Sequence, residues 1–560
     1  MPSYLRDGAT RVSRVGAICF ALLCATAAAA TLAQAGLNTG FDIWDGFAVA
    51  LIALTTAWLA WGAGQAFLGV PSFDPLPDMD LSNADFPPTA ILVPICNENP
   101  TEVCARIMAM RQSMQAANAP VDFAILSDTF DPDALIAERA ALAPLLGDEG
   151  AANPVYYRNR TERYGRKAGN VEDFIRKSGG AYEYVVILDA DSLMEGDTIR
   201  HLVARMEADP SLGLLQTLPK IFGAGSLFGR AMQFSASFHS PVFARGLARM
   251  QGRAGPFWGH NAIARVRALS QCCGLPELSG PAPFGGTILS HDYVEAALLV
   301  RGGWRVEMDP RIAGSFEEGP DNLLAFARRD RRWCQGNLQH MRLVGAPGLH
   351  GWSRFVFVQG IMAYLVSVAW GAFLIVSLLA AATNASPDYF PNAYQLFPVF
   401  PDDKTFQIVA LAFGIGGLLL LPKLAIFGEA AATGRAKGFG GALRALGSVL
   451  SEILLTALIA PVMLMYQSWR ASRWVSLFGV AVTVAVYLWV PNLIFWLLPV
   501  TLPMSIAPLL IAVTSHESTG QVFTTPQERA TPAVIAAYRD NLRSGAAPEG
   551  SSHDTIVQPA

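Results

Sequence analysis

The chain has 560 residues, of which 52% are hydrophobic and 15% are charged, and its formal net charge at pH 7 is −4. This composition is too apolar for an ordinary soluble protein and indicates that part of the chain lies in a lipid bilayer. The absence of a basic excess argues against nucleic acid as a partner.

Residues 1–86 are predicted to form an N-terminal transmembrane hairpin. Residues 15–35 and 43–70 are each long and apolar enough to cross a hydrocarbon core, which takes about 20 residues in a helix. Arginines precede the first span, whereas the short link between the spans carries two aspartates and no base, so the amino terminus is predicted to be cytoplasmic. A cleavable secretory signal is the alternative for the first span, because A-Q-A at 33–35 resembles a cleavage site.

Residues 87–345 have a different pattern, in which strand-like runs alternate with helical stretches and turn residues. Such alternation predicts a cytoplasmic α/β domain with a mainly parallel, Rossmann-like sheet. The predicted strands are 90–95, 122–128, 184–191 and 213–219.

Residues 346–515 return to the membrane pattern, with spans predicted at 355–382 and 406–427 and a periplasmic loop between them. The stretch 448–469 has basic residues on both flanks, which favours a re-entrant or interfacial element over a crossing. A last hairpin at 475–490 and 493–513 gives six spans, with seven as the alternative. Residues 516–560 are predicted to be a disordered cytoplasmic tail.

Two aspartates, Asp189 and Asp191, follow the apolar run Y-V-V-I-L. Ligands of parallel α/β sheets gather at the carboxyl ends of strands, and alternate residues of an extended chain share a face. The pair therefore suits Mg²⁺ or Mn²⁺ with a diphosphate. A calcium-binding EF-hand is excluded because Leu193 and Met194 occupy positions that need an acid or amide and a glycine. A solvated turn remains the alternative, since D-x-D alone is a weak signal.

Other polar residues follow neighbouring predicted elements. Asn97 and Glu98 come after the first strand, and Asp128 ends the second, where its carboxylate can accept hydrogen bonds from a nucleobase or ribose. Lys167, just before a predicted helix, offers a positive charge to phosphate. Asp292 lies at a helix start in S-H-D and is a plausible general base.

A cluster of arginines ends at Arg332 and Trp333, about twenty residues before the third predicted span. Guanidinium groups suit a diphosphate, and an indole face suits a sugar ring. The alternative is a polybasic segment that faces anionic lipid.

Together, P-I-C-N-E-N, L-S-D, R-K-A-G-N, D-A-D-S, G-H-N, S-H-D and R-R-D-R-R-W resemble the membrane-integrated inverting glycosyltransferases of family 2, which include cellulose synthase. The resemblance is strong over residues 85–345, looser over the spans, and implies a GT-A-type catalytic domain inserted in an α-helical transmembrane domain. The residue roles that it implies are a general base (Asp292), donor binding (Asn97, Glu98, Asp128, Lys167, Asp189, Arg332), acceptor binding (Gly259, His260, Asn261, Trp333) and metal binding (Asp191 with Asp189).

Two motifs depart from cellulose synthase: S-H-D replaces T-E-D, and Arg329 replaces the glutamine of Q-x-x-R-W. Both departures resemble the branch that builds osmoregulated periplasmic glucans. That branch implies glucose transfer from UDP-glucose to a growing β-glucan, β-1,2-linked, at the bacterial inner membrane, with membrane lipid and acyl carrier protein as further partners. The alternatives are a transferase with a lipid-linked acceptor and a permease that senses a nucleotide-sugar.

The stretch 224–250 is amphipathic and has two interpretations. It can lie at the membrane interface and guide the glucan from the active site to a channel. An ordinary packed helix explains the same pattern equally well.

Overall fold

A computed structural model describes residues 7–37, 41–73, 76, 86–146, 152–383, 394, 396–398, 405–468, 472–489 and 491–544. In these ranges an α/β domain lies between two sets of long apolar helices. This is the predicted class of architecture, a GT-A-type domain inserted in an α-helical membrane part.

The amino-terminal hairpin consists of α1 (Asp7–Leu37) and α2 (Ile43–Gly69), which pack against each other. A capping box starts α2: the Asp45 amide donates to the Asp42 carboxylate at 2.9 Å, and the Asp42 amide donates to the Asp45 carboxylate at 3.1 Å. These two bonds satisfy amides that have no partner inside the helix. The two acids of the link therefore fix the start of the second helix.

The α/β domain is built on a seven-stranded sheet of β1 (Thr89–Ile95), β2 (Asp122–Ser127), β3 (Val155–Asn159), β4 (Tyr184–Ile187), β6 (Leu212–Gln216), β8 (Ala262–Arg265) and β9 (Arg305–Met308). The order of the strands in the sheet is β3-β2-β1-β4-β8-β6-β9. The strands β3, β2, β1 and β4 are parallel, β8 is antiparallel to both of its neighbours, and β9 is parallel to β6.

A second, three-stranded sheet, in the order β5-β10-β7, lies beyond the end of β4. Its strands are β5 (Leu193–Met194), β7 (Lys220–Phe222) and β10 (Ser315–Glu318). The helices of the domain are α3 (Pro100–Ala116), α4 (Pro132–Leu146), α5 (Arg166–Ser178), α6 (Gly196–Glu207), α7 (Leu227–Phe238), α8 (Ser240–Gln251), α9 (Val266–Cys272), α10 (His291–Arg301) and α11 (Leu323–Gln339).

Both faces of the large sheet are buried, which explains why its central strands read as continuous apolar runs rather than as alternating patterns. In β1, Ile91, Val93 and Ile95 pack into one hydrophobic cluster, whereas Ala90 and Leu92 pack into a second cluster on the opposite face. Every residue of β1 is buried. The sheet is therefore a rigid platform for the residues that follow its strands.

Five helices are long and apolar enough to cross a membrane, or six if one bent pair counts as a single span, among the residues that the structure describes. The bent pair is α16 (Ile494–Ser505) with α17 (Ala507–Ser515), which meet at 66°. The carboxyl-terminal helices before it are α12 (Gly351–Thr383), α13 (Thr405–Ala432), α14 (Ala442–Ser468) and α15 (Ser472–Trp489).

Two of these helices differ from the predicted spans. The stretch predicted to be re-entrant or interfacial belongs to α14, a continuous helix of 27 residues that is long and apolar enough to cross. A proline inside it, Pro461, does not end the helix. In contrast, α15 has 18 residues, and its apolar part, Trp474–Trp489, is shorter than the helices that are long enough to cross a membrane. Most of the predicted periplasmic loop, 384–403, falls outside the described residues.

The predicted amphipathic stretch 224–250 forms α7 and α8, which join the α/β domain to the membrane helices. Helix α8 packs so closely on α2 that a Cβ on Gly246 would lie 1.9 Å from the carbonyl oxygen of Gln65. Arg245 donates to the carbonyl of Gly69 at 2.8 Å and to Glu429 of α13 at 2.9 Å. These contacts support the packed-helix interpretation for α8.

Residues 516–544 are ordered, which differs from the predicted disordered tail. They include α18 (Pro526–Arg529) and α19 (Ala533–Ser544), and α19 packs on α3. Val534 and Ile535 are each 1% exposed in the main hydrophobic cluster. The apolar face of one short helix thus outweighs the Ser-, Gly- and Pro-rich composition around it. Residues 545–560 lie outside the described residues.

Candidate active site

The carboxyl ends of β1, β2 and β4 lie side by side at one edge of the large sheet. Just beyond the paired residues, the amide of Asp128 donates to the carbonyl of Ile95 at 2.8 Å, and the amide of Leu188 donates to the carbonyl of Leu92 at 3.0 Å. The segments that carry Asp128 and the two aspartates of D-A-D therefore leave the sheet from neighbouring strands.

The D-A-D segment forms a turn that is closed by its own hydrogen bonds. The amide of Asp189 donates to Ser192 Oγ at 3.1 Å, and the amide of Ser192 donates to the carbonyl of Asp189 at 3.1 Å. The chain then enters β5, which pairs with β10 through Met194 and Ser315. This pairing brings the end of β10 beside the two aspartates.

Lys167, in the first turn of α5, connects two parts of the site. Its Nζ donates a hydrogen bond to the carboxylate of Asp189 and a second one, at 2.8 Å, to the carbonyl of Gly259. Burial alone would raise the pKa of Asp189, but the charges of Lys167, His260 and Arg329 hold that pKa well below its ordinary value. Asp189 is therefore ionised at neutral pH.

Asp191 has the opposite electrostatic environment. Burial, together with the negative charges of Asp189 and Glu317, raises the pKa of Asp191 to about 6. Glu317 lies on β10, and its carboxylate is 3.4 Å from Nε2 of His260. Glu317 is not predictable from the sequence as a site residue, because nothing in S-F-E-E indicates that β10 pairs with β5.

The residues around D-A-D fit a divalent cation that is shared with a diphosphate. Asp189 and Glu317 raise the pKa of Asp191, and a cation beside these carboxylates would stabilise the ionised form of Asp191. Within the described ranges, no group of three or more His, Cys, Asp or Glu residues has the arrangement of a complete metal site. Mg²⁺ in proteins keeps one or two carboxylates and takes its other ligands from phosphate and water, and Asp189 and Asp191 can supply those carboxylates.

Asp128 forms a two-pronged ion pair with Arg160. Nε of Arg160 donates to Oδ1 at 2.6 Å, and Nη2 donates to Oδ2 at 2.8 Å. Arg160 also donates to the carbonyl of Arg166 at 2.9 Å, next to Lys167. Any contact of Asp128 with a nucleobase therefore has to use the remaining lone pairs of its carboxylate. Arg160 was missed because its separation of 32 residues from Asp128 leaves no local pattern.

Asn97 and Glu98 lie in the exposed turn after β1. Asn97 has a positive φ of 67°, and its amide donates to Thr129 Oγ1 at 3.0 Å. The Glu98 carboxylate accepts a hydrogen bond from the amide of Cys96. The turn is thus held next to the residue that follows Asp128.

The G-H-N segment lies between the lysine and the proposed base. Gly259 has a φ of +83°, and a Cβ at this position would lie 3.5 Å from the Cβ of Asp292. Asn261 is fully buried and donates to Ser315 Oγ at 2.8 Å and to the carbonyl of Phe316 at 3.1 Å. Asn261 therefore anchors this loop to β10 from within the protein.

Asp292 lies in the first turn of α10, beside a histidine–glutamate pair. Nδ1 of His291 is 3.0 Å from Oε2 of Glu295, one turn along the helix. Burial raises the pKa of Asp292, Glu295 raises it further, and the charge of His291 opposes this shift. A carboxylate with a raised pKa is a stronger base than an ordinary aspartate.

Helix α11 brings the arginine cluster to the site. The guanidinium of Arg329 lies 4.7 Å from the ring centre of Trp333. Its charge contributes to the lowered pKa of Asp189 and opposes the rise in the pKa of Asp191. Arg332 is exposed on the same helix, and Trp333 is 38% exposed. Arg329, the residue that departs from the motif of cellulose synthase, is thus an arginine whose positive charge affects the two aspartates of D-A-D.

Helices α10 and α11 are joined tightly at their facing ends. A Cβ on Gly336 would lie 2.3 Å from Ser290 Oγ, and His340 Nε2 is 3.0 Å from the carbonyl of Ser290. The side chain of Gln339 accepts from the amide of Leu289 at 2.9 Å. The helix with Trp333 therefore fixes the segment that leads into Asp292.

The fold and the site define a class of protein: a Rossmann-like, GT-A-type glycosyltransferase domain attached to apolar helices. Comparison with known families agrees with this. The family described as "Glycosyl transferase family 2" matches residues 90–273, and the family described as "Glycosyl transferase family group 2" matches residues 184–421.

Similar proteins define the family more closely. A glucans biosynthesis glucosyltransferase H from Cereibacter sphaeroides is 49% identical, with 95% of each chain covered. A protein of the same name from Rhodopseudomonas palustris is 38% identical, and the match covers 90% of this chain and 76% of the relative. Another from Xylella fastidiosa is 36% identical, and the match covers 90% of this chain and 86% of the relative. The chain belongs to the glucans biosynthesis glucosyltransferase H family of glycosyltransferase family 2.

Among solved structures, the chain is similar to a mannosyltransferase from Pyrobaculum calidifontis in complex with GDP-Man and Mn²⁺. The TM-score is 0.43 with 18% sequence identity, over 62% of this chain and 89% of the other.

Proposed function

We propose that the protein transfers glucose from UDP-glucose to the hydroxyl of a growing β-glucan, with inversion at the anomeric carbon, and exports the product across the bacterial inner membrane. One observation carries the catalytic part: Lys167 joins Asp189 to the carbonyl of Gly259, and Gly259 lies against Asp292. Lys167, which is proposed to bind the donor diphosphate, and Asp292, the candidate base, therefore both lie beside Gly259.

In this mechanism Asp292 is the general base. An alcohol is a poor nucleophile at neutral pH, so Asp292 accepts the proton of the acceptor hydroxyl as the bond to the anomeric carbon forms. The bond to UDP breaks in the same displacement, which inverts the configuration. Gly259 and His260 border the acceptor, and Trp333, which is 38% exposed, contacts the terminal sugar through its indole ring.

The donor is held at the edge of the sheet. Asp128, with Asn97 and Glu98 nearby, faces the uridine, and Lys167, Arg329 and Arg332 stabilise the negative charge on the departing UDP. Asp191, with Asp189, would hold Mg²⁺ or Mn²⁺. When bound, the cation supplies further charge stabilisation to the diphosphate.

The apolar helices give the product a route out of the cytoplasm. The joint between α8, α2 and α13 attaches the catalytic domain to these helices. We assign the catalytic domain to the cytoplasmic side, where UDP-glucose is made, with membrane lipid around the helices. Acyl carrier protein is carried over from the family resemblance as a further partner.

The test uses the purified full chain in lipid nanodiscs or vesicles with radiolabelled UDP-glucose and Mg²⁺. We expect a water-soluble β-glucan with β-1,2 linkages, and EDTA is expected to abolish incorporation. A chloroform-extractable product would instead indicate a lipid-linked acceptor. Transport without incorporation, unchanged in Asp292→Asn, would indicate a permease and overturn the proposal.

A further inference from the structure

The ordered carboxyl-terminal segment, residues 516–544, runs from the last apolar helix back across the catalytic domain. Near its start, Arg230 of α7 donates to the carbonyl of Ser518 at 2.7 Å and to that of Gly520 at 2.8 Å. Further on, Gln233 donates to Thr525 Oγ1 at 3.2 Å. The segment is thus fixed along α7 before it reaches α19.

At the end of this segment, Tyr538 of α19 contacts a buried arginine of α3, Arg106. The hydroxyl of Tyr538 accepts a hydrogen bond from Nη2 of Arg106 at 3.1 Å, and the guanidinium lies 4.9 Å from the centre of the tyrosine ring. Arg106 is 4% exposed and Tyr538 is 6% exposed. Their positions in the sequence differ by 432 residues, so only the fold brings them together.

Arg106 in turn contacts the D-A-D turn and the end of β10. Its Nη1 donates to the carbonyl of Ala190, the residue between the two aspartates, at 3.2 Å. Its Nη2 donates to Glu318 at 2.8 Å, and Glu318 follows Glu317 on β10. Tyr538 also contacts Glu318, with 3.3 Å between the hydroxyl and the carboxylate. One guanidinium therefore joins α19, the D-A-D backbone and the end of β10.

We propose that α19 is a positioning element of the catalytic domain: Tyr538 orients Arg106, and Arg106 holds the Ala190 carbonyl so that Asp189 and Asp191 keep a fixed geometry. Without the tyrosine, Arg106 would keep Glu318 and Glu102 as partners, at 2.8 Å and 3.1 Å. It would hold the Ala190 carbonyl less firmly, since each lost hydrogen bond to a charged group weakens the arrangement. The idea that α19 supports binding of the donor and the cation rests on the function proposed above. The idea that α19 orders the turn with Asp189 and Asp191 does not.

The test is hydrogen–deuterium exchange of the metal-free, donor-free full chain, read over Leu188–Met194. The amides of Leu188, Asp189 and Ser192 are hydrogen-bonded and report on this turn. In Tyr538→Leu we expect them to exchange about tenfold faster, with β2 unchanged. Tyr538→Phe keeps the ring below the guanidinium and is expected to give a smaller effect.

Asp540→Ala is the matched control, because Asp540 lies on the same helix with its side chain 76% exposed. It is expected to leave the turn unchanged. Faster exchange confined to α19, with Leu188–Met194 as in the wild type, would overturn the proposal. If Tyr538→Leu also loosens β1 and β2, Tyr538→Phe decides: wild-type exchange at the turn in that variant overturns the proposal as well.

A second readout separates positioning from catalysis. We expect the Mg²⁺ concentration for half-maximal glucose transfer to rise about fivefold in Tyr538→Leu, with a smaller change in kcat at saturating Mg²⁺. If the chain transferred no glucose from UDP-glucose, this readout would be lost and the proposed function would fail. The exchange result would still decide the role of α19.

Discussion

Gly259 and Asp292 approach each other so closely that a Cβ on the glycine would lie in van der Waals contact with the side chain of the aspartate, 3.5 Å from its Cβ. The glycine also has a φ of +83°, which L side chains rarely adopt. Its carbonyl accepts from Lys167. A change at Gly259 is therefore expected to disturb both Asp292, the proposed base, and Lys167, which is proposed to bind the donor.

We expect Gly259→Ala to lower kcat by about tenfold or more, because the backbone strain of about 1–2 kcal/mol shifts a loop whose added methyl would be in direct contact with Asp292. Gly303→Ala is the matched control: Gly303 has a φ of +88°, and a Cβ on it would lie in open space. Steady-state kinetics and thermal unfolding are measured for both. Equal loss of kcat in the two variants would show that strain, and not proximity to Asp292, is responsible.

Asp292→Asn removes the proposed base while it keeps the shape of the side chain. Glucan synthesis is expected to fall by about 10²- to 10⁴-fold, the usual contribution of a general base. UDP binding, measured by calorimetry, is expected to stay close to that of the wild type. Asp197→Asn, an exposed acid in the first turn of α6, serves as the control and retains activity. Full activity of Asp292→Asn would exclude Asp292 as the base.

The pH profile tests the environment of Asp292. The base must be deprotonated, so kcat/KM is expected to decrease as the pH falls through its pKa, which burial raises above the ordinary value. The charge of His291 opposes that rise, so its removal in His291→Gln is expected to raise the pKa and move the acid limb to higher pH. His201→Gln provides the control. An acid limb that stays in place or moves to lower pH contradicts this assignment.

Asp128→Asn tests the pair with Arg160. Both side chains are buried, with 11% and 3% exposed, so the change leaves an arginine without its carboxylate inside the protein. We expect a loss of stability of about 3 kcal/mol, seen as a fall in Tm of about 5 °C or more. In comparison, Asp540→Ala removes an exposed acid and should leave Tm within about 1 °C. Loss of UDP binding without a change in Tm would mean that Asp128 serves the nucleotide alone.

The strands, the class of fold and the edge of the sheet could be predicted from the sequence because each depends on local patterns. Apolar runs that end in polar residues mark β1, β2 and β4, and parallel pairing then brings their ends together. The same logic points to Asp128, Asp189 and Asp191. Their roles as ligands of donor and cation remain predictions.

Residues that depend on long-range packing could not be predicted. Glu317 reaches D-A-D only because β10 pairs with β5, and Arg160 reaches Asp128 from another strand end. Flanking basic residues and Pro461 predict a re-entrant or interfacial element at 448–469, whereas α14 continues through the proline as one helix. Such outcomes follow from tertiary contacts that no local pattern encodes.

The position of α19 in the main hydrophobic cluster has a consequence for biogenesis. Val534, Ile535 and Tyr538 complete a core that otherwise comes from residues 91–316, yet the ribosome makes them only after every apolar helix. The α/β domain therefore keeps an open apolar flank until these residues have been made. Its main hydrophobic cluster can close only after the apolar helices that precede α19 have been translated, so completion of the α/β domain follows synthesis of those helices.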